Sequence, residues 1–203
     1  MRRTPALRPR RDHREVPVKE NPVLLFAREL DFAARKHVHQ RRKGELAEPY
    51  VNHLSDVARL LAEATGGGDI ELVLAGLLHD TIEDTDTTFA ELAKAFGPEV
   101  AGLVSEVTDD KTLPKAERKR LQVETAPKKS ARARMIKLAD KTSNLHSMIA
   151  SPPKDWSSQR RRDYIAWAEQ VVAGCRGVNS HLEREFDRAA QRARAALDSS
   201  PAA

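Results

Sequence analysis

The sequence predicts an all-α domain, and three observations predict it. From residue 21 onward, apolar side chains recur at helical spacing with little interruption. Cap residues and prolines punctuate that pattern where helices would begin and end. No run alternates polar and apolar residues for long enough to make a strand.

In chain order, Asn21-Pro22 reads as an N-cap followed by proline at the first helical position. Val23, Phe26, Ala27, Leu30, Ala34 and Val38 then predict a helix to about Gln40. A polar loop carries Arg41, Arg42, Lys43 and Gly44 towards Pro49 and Tyr50. Asn52 is placed to cap a second helix through Val57, Leu60 and Leu61, ended by Gly66-Gly67-Gly68. Asp69 caps a third, whose segment 72–78 is apolar nearly all round, the mark of a central, buried helix. Thr88 and Glu91 have capping-box spacing, with Gly97 closing that short helix. Pro98 opens another towards Thr108, and Pro114 starts a highly charged one. Ser130 caps a long helix with Met135, Ile136, Leu138, Ala139, Leu145 and Met148 on its apolar side. Pro152-Pro153 breaks the chain before two last helices, one around Tyr164 to Val172 and one from Asn179 to Leu197.

Composition narrows the class. A chain of 203 residues is one domain, or one domain with a tail. The net charge of +5 suggests a nucleic-acid binder until it is divided: residues 1–20 carry +4 and the rest only +1. The division predicts a basic, disordered tail over 1–20 and a folded domain over 21–198. Only that tail offers a contact for RNA. It has no apolar segment of the secretory kind, and nothing approaches the roughly 18 apolar residues of a membrane span. One cysteine, Cys175, excludes an internal disulfide and a cysteine-based zinc site, and points to a reducing, cytoplasmic setting.

The chemistry stands where the core should be. His79-Asp80-Thr81-Ile82-Glu83-Asp84 follows directly on the apolar third helix. Residues four apart share a helix face, so His79 would stack over Glu83 and Asp80 over Asp84. Burying one imidazole and three carboxylates uncompensated costs several kcal/mol per charge. A divalent cation is the simplest compensation. Asp140 interrupts the apolar side of the long helix in the same way, with Asn144 one turn on, and His53 stands just behind Pro49-Tyr50. His53, His79, Asp80 and Asp140 thus form a His₂Asp₂ set from three helices. Such mixed ligation suits Mn²⁺, Fe²⁺ or Zn²⁺ better than Ca²⁺.

These stretches resemble the HD-domain metal-dependent phosphohydrolases, and within them the hydrolase domain of the Rel/Spo alarmone enzymes. The likeness is greatest to the stand-alone small alarmone hydrolases, including the metazoan SpoT-homologue type. It rests on FAARKHVHQRRK (32–43), PYVNH (49–53), LLHDTIEDTDTT (77–88), VTDDKTLPKAERKRLQVE (107–124), KLADKTSNL (137–145) and DYIAWAEQVV (163–172), in order across about 24–190. The resemblance implies a single HD-domain helical bundle. It also implies one Mn²⁺ on His53, His79, Asp80 and Asp140, and a catalytic acidic pair at Glu83 and Asp84. It assigns nucleotide contacts to Arg42, Lys43 and Asn144, and pocket positions to Lys115, Arg160 and Tyr164. The activity implied is removal of the 3′-pyrophosphate of ppGpp or pppGpp, giving GDP or GTP and pyrophosphate and ending the stringent-response signal. Some relatives also act on NADPH. The competing readings are another HD phosphohydrolase acting on other nucleotides, or a non-catalytic nucleotide-binding regulator. Ser143 and His146 depart from the family pattern, which often has a bulkier residue and an arginine there. The six metal and acidic positions do not.

Overall fold

Side chains read as caps from the sequence do start helices. The computed structural model describes residues 21–199; the predicted tail lies outside them. The described chain runs through α1 (Pro22–Lys36), α2 (Val51–Thr65), α3 (Ile70–Leu78), α4 (Thr81–Asp84), α5 (Phe89–Phe96) and α6 (Pro98–Val107). It continues through α7 (Lys115–Thr125), a 3₁₀ turn (Ala126–Lys128), α8 (Ala131–Ala150), α9 (Ser158–Ala173) and α10 (Ser180–Asp198). The fold is all-α: among the described residues only two isolated bridges, Arg41 with Pro49 and Gly44 with Pro153, are extended pairings. Asn21, Asp69, Thr88, Ser130 and Asn179 each accept a first-turn N–H, and Gly66 closes α2 in the left-handed conformation.

The helix that is apolar all round is the centre. Every residue of segment 72–78 is buried, and α1, α2, α6 and α8 surround α3. Each fully buried leucine there, such as Leu72, Leu77 or Leu78, contributes roughly 1.5–3 kcal/mol of transfer free energy. Where α2 crosses α3, a Cβ on Gly76 would lie 2.3 Å from Leu61 Cδ1, so glycine sets how closely the two helices approach. α8 packs on α2, α6 and α10, and α9 lies against α7, α8 and α10. The beginning of α2, the end of α3 and the middle of α8 therefore meet at one end of the core.

Four local expectations shift. α1 stops at Lys36 rather than Gln40, because the following backbone turns to pair across its own loop: Arg42 N–H donates to the Glu48 carbonyl at 2.9 Å and Tyr50 N–H to the Gln40 carbonyl at 3.2 Å. The buried face of α1 is also rotated. Val23 and Val38 are exposed, while Glu29 and Ala33 are buried. α2 begins before Asn52, with the Tyr50 carbonyl accepting the His53 N–H. Finally, α3 does not run on through Asp84. It closes at Leu78, whose carbonyl takes the Thr81 hydroxyl at 2.6 Å, and His79-Asp80 form a turn into α4. The Asp84 N–H still bonds the Asp80 carbonyl at 2.8 Å, so one turn separates the two acidic groups as expected.

Candidate active site

His53 comes from the first turn of α2, His79 and Asp80 from the turn after α3, and Asp140 from the middle of α8. The donor atoms of His53, His79 and Asp80 all lie within 4.8 Å of one another. Asp140 Oδ1 joins them at 3.4 Å from His53 Nε2 and 3.9 Å from His79 Nε2. The structure thus brings the four residues to one point, buried or nearly so.

Neighbouring side chains and backbone hold the cluster in place. His79 Nδ1 lies 2.8 Å from the Gly76 carbonyl, an acceptor that fixes the proton on Nδ1 and turns the Nε2 lone pair inward. The Tyr50 hydroxyl donates to Asp80 Oδ2 at 2.5 Å. Asn144 Nδ2 donates to Asp140 Oδ1 at 2.6 Å, and Lys141 Nζ to Asp140 Oδ2 at 2.9 Å. His79 Nε2, by contrast, is buried with no oriented hydrogen-bond partner although Asp80 Oδ2 is 3.1 Å away. An orphaned imidazole nitrogen facing two carboxylates is what a divalent cation fits. Without one, a proton takes that place. Burial opposes the charge on His79, but Asp80 and Asp140 outweigh it and raise the imidazole to about 9. Burial lowers His53, and the Asp140 hydrogen bond only partly offsets it.

Beside the cluster stand Glu83 and Asp84. Burial, then the Asp80 and Asp109 charges, raise Glu83 to about 6. Its Oε2 accepts the Asp109 N–H at 3.1 Å, and Arg118 Nη1 lies 3.6 Å from Oε1. Asp84 takes Gln40 Nε2 at 2.7 Å on one oxygen and the Lys111 ammonium on the other. Gln40 is itself held by His37, Nδ1 to Oε1 at 2.6 Å, and the His37 ring stacks on Tyr50.

These groups form the floor of a cavity of about 720 Å³, a size that takes a nucleotide. Its walls are basic and aromatic. The loop carrying Arg42 and Lys43 is pinned to the end of α8 by the close approach of Gly44 to Ser151 and by Leu46 N–H donating to Ser151 Oγ at 2.9 Å. Arg42 Nη2 donates to Asn144 Oδ1 at 2.9 Å and Ser147 Oγ at 3.1 Å, with the guanidinium over the Tyr50 ring. Lys43, Lys115, Arg160 and Tyr164 all line the cavity, and Arg160 lies over Trp156. Burial, then the Lys115 and Arg160 charges, lower the Lys43 ammonium. The same balance lowers Lys119, burial first and then Lys115 and Lys141.

Sequence reasoning missed several lining residues. Lys111, just before the charged helix that Pro114 opens, and Arg118 and Lys119 within it all face the cavity. Trp167 lies beneath the Lys119 and Lys141 ammoniums at 4.4 and 4.6 Å. Gln40 and Tyr50 lie within the quoted motifs FAARKHVHQRRK (32–43) and PYVNH (49–53), and only that position could have singled them out.

The HD domain family matches residues 30–168. The chain belongs to the HD-domain family. Among its relatives, a human (Homo sapiens) protein named guanosine-3′,5′-bis(diphosphate) 3′-pyrophosphohydrolase MESH1 is 55% identical over 153 residues, 75% of this chain and 86% of that protein. The Xenopus tropicalis protein of the same name is 51% identical over 163 residues, 80% and 91% of the two chains. A solved structure described as a metazoan ortholog of SpoT that hydrolyzes ppGpp superposes with a TM-score of 0.78 at 48% identity, covering 81% of this chain and 93% of its own. As an HD-domain protein the chain is a metal-dependent hydrolase, and His53, His79 and Asp80 can hold its divalent metal. No helix among the described residues is long and apolar enough to cross a membrane.

Proposed function

We propose that this HD-domain protein removes the 3′-pyrophosphate from ppGpp and pppGpp, giving GDP or GTP and pyrophosphate, with Mn²⁺ held by His53, His79, Asp80 and Asp140. One observation carries the reading: a single cavity sets a cation site and an acidic pair at its floor against lysines and arginines that repel one another on its wall. Cations gathered at such mutual cost await a polyanion, and a cation site beside it awaits a phosphoryl oxygen. The names of its relatives give that polyanion a guanosine and a 3′ attachment.

When bound, the metal supplies Lewis acidity and lowers the pKa of its water towards about 7. Glu83 and Asp84 orient the attacking water, and Glu83, raised by its surroundings yet ionised at neutral pH, accepts its proton. The water oxygen bonds to the phosphorus attached to the 3′-oxygen, the P–O3′ bond breaks, and the 3′-oxygen leaves with the proton that Glu83 took from the water. Lys43, Lys115 and Arg160 neutralise the phosphates as charge redistributes. Arg42, fixed flat by Asn144, Ser147 and Tyr50, presents a planar face to the base. Tyr164 lines the same cavity.

The test is turnover of ppGpp by the metal-stripped protein with and without added Mn²⁺, separating products by anion exchange. GDP and pyrophosphate in equal amounts, only with the cation, are expected. Release of single phosphates, or no turnover while another nucleotide is cleaved, refutes the assignment.

A further inference from the structure

Ser143 is fully inside the core on α8, one turn beyond Asp140, and its hydroxyl has an obvious local partner in the helix backbone. Neighbouring Thr142 takes that option, donating to the Leu138 carbonyl at 2.8 Å. Ser143 does not. Its Oγ lies 2.9 Å from Nδ1 of His53, ninety residues away in sequence, and both side chains are buried. For His53 to offer its Nε2 lone pair to the cluster, Nδ1 must carry the ring proton, so Ser143 Oγ is the acceptor and its own proton must point elsewhere. The group placed to receive it is Asp56, one turn further along α2 than His53. Asp56 is held by Arg59 Nη2 at 2.7 Å and His146 Nδ1 at 3.4 Å, and Ser143 stands among the groups that lower its carboxyl. Against burial, which would raise it, these donors hold the Asp56 carboxyl well below the ordinary range.

We infer that Asp56 and Ser143 are positioning residues for the metal site, a carboxylate acting through a hydroxyl to fix the tautomer and orientation of the ligand His53. The other imidazole is served by a backbone carbonyl, from Gly76 within its own turn. His53 alone depends on a side chain from another helix. α8 therefore supplies one ligand directly through Asp140 and steadies a second through Ser143, which locks the α2–α8 distance to the cluster.

The inference rests on the cluster being a cation site, and the experiment separates the two. Mn²⁺ affinity is measured on the full, metal-stripped chain by following free Mn²⁺ in electron paramagnetic resonance, for wild type, Ser143→Ala, Ser143→Thr and Asp56→Asn. Loss of the hydroxyl is expected to weaken binding by about 10- to 100-fold. Threonine, which keeps the hydroxyl, is expected to restore it to within about threefold, and Asp56→Asn to weaken it by at least about threefold. The visible spectrum of bound Co²⁺ is expected to shift in Ser143→Ala and return in Ser143→Thr. Should Ser143→Ala melt below the assay temperature, Asp56→Asn, at a half-buried position, decides the matter. Wild type that binds no Mn²⁺ overturns both the cation-site reading and this inference. Wild type that binds, with Ser143→Ala or a folded Asp56→Asn within twofold of it, overturns the inference alone.

Discussion

Glu83 offers the most discriminating pH experiment. Its carboxyl is raised from the ordinary 4.5 to about 6 by burial and by the Asp80 and Asp109 charges. That shift corresponds to about 2 kcal/mol of preference for the protonated form. A cation bound by Asp80 cancels part of that charge and draws Glu83 back down, so the working value lies between 4.5 and 6. If Glu83 must be ionised to accept the proton, kcat falls tenfold per pH unit on the acid side of that midpoint and is flat above it. At pH 7 at least nine-tenths of the protein is then active; at pH 5, at the upper bound, about one-tenth is. Glu83→Gln keeps the shape, removes the base and is expected to cost 10²- to 10⁴-fold in kcat without weakening Mn²⁺. The assay is pyrophosphate release at saturating substrate and Mn²⁺ from pH 4.5 to 8.5, with cation occupancy checked at each pH. The residual rate of Glu83→Gln should lack the limb. A wild-type midpoint above about 7, or the same limb in Glu83→Gln, refutes Glu83 as the base.

Asp140→Ala is expected to abolish Mn²⁺ binding and turnover together, measured by calorimetry and by product release; retained binding removes Asp140 from the ligand set. Gln40→Ala removes the donor that holds Asp84 Oδ2, and is expected to lower kcat about tenfold with Mn²⁺ affinity unchanged. A fall in affinity instead would place Gln40 in the metal shell. Glu29 is buried on α1 with neither oxygen hydrogen-bonded, and burial raises it to about 8. The unfolded chain loses that proton near 4.5 and the native state near 8, so its contribution lowers stability as pH rises between those values, by roughly 3 kcal/mol at pH 7. Urea titrations should show Glu29→Gln more stable than wild type at pH 7 and the difference shrinking towards pH 4.5; a pH-independent difference contradicts this.

What the sequence shows and hides follows from one rule. His79, Asp80 and Asp140 were legible because each is a polar residue in an apolar run, a conflict with an energetic cost that demands an explanation. Segment 72–78 was legible as the central helix for the converse reason. Lys119 and Arg118 were not, because α7 has no buried residue and a basic amphiphile carries no mark of which charges face a cavity. Asp56 and Gln40 carried no chemical mark of their own, and Ser143 only its departure from the family pattern. Each is an ordinary polar residue in a tolerant setting, and its role is made by a partner 44 or 90 residues away. The rotated face of α1 misled in the opposite direction: Val23 and Val38 fit the period, but α1 turns the carboxyl of Glu29 inward instead.

The break after Leu78 is part of the same logic. In an unbroken helix, consecutive side chains diverge by about 100°, so His79 and Asp80 could not both face one point. The structure ends α3 at Leu78 and gives Asp80 φ −100° and ψ −1°, between two helical segments. In that turn, His79 Nε2 and Asp80 Oδ2 converge to 3.1 Å. The carbonyl freed at Leu78 is taken by the Thr81 hydroxyl, so that buried acceptor stays paired. α4 then resumes for a single turn, long enough to carry Glu83 and Asp84 past the cluster and end at Thr85. An adjacent histidine and aspartate can act on one ion only because the helix stops between the core that buries them and the turn that aims them.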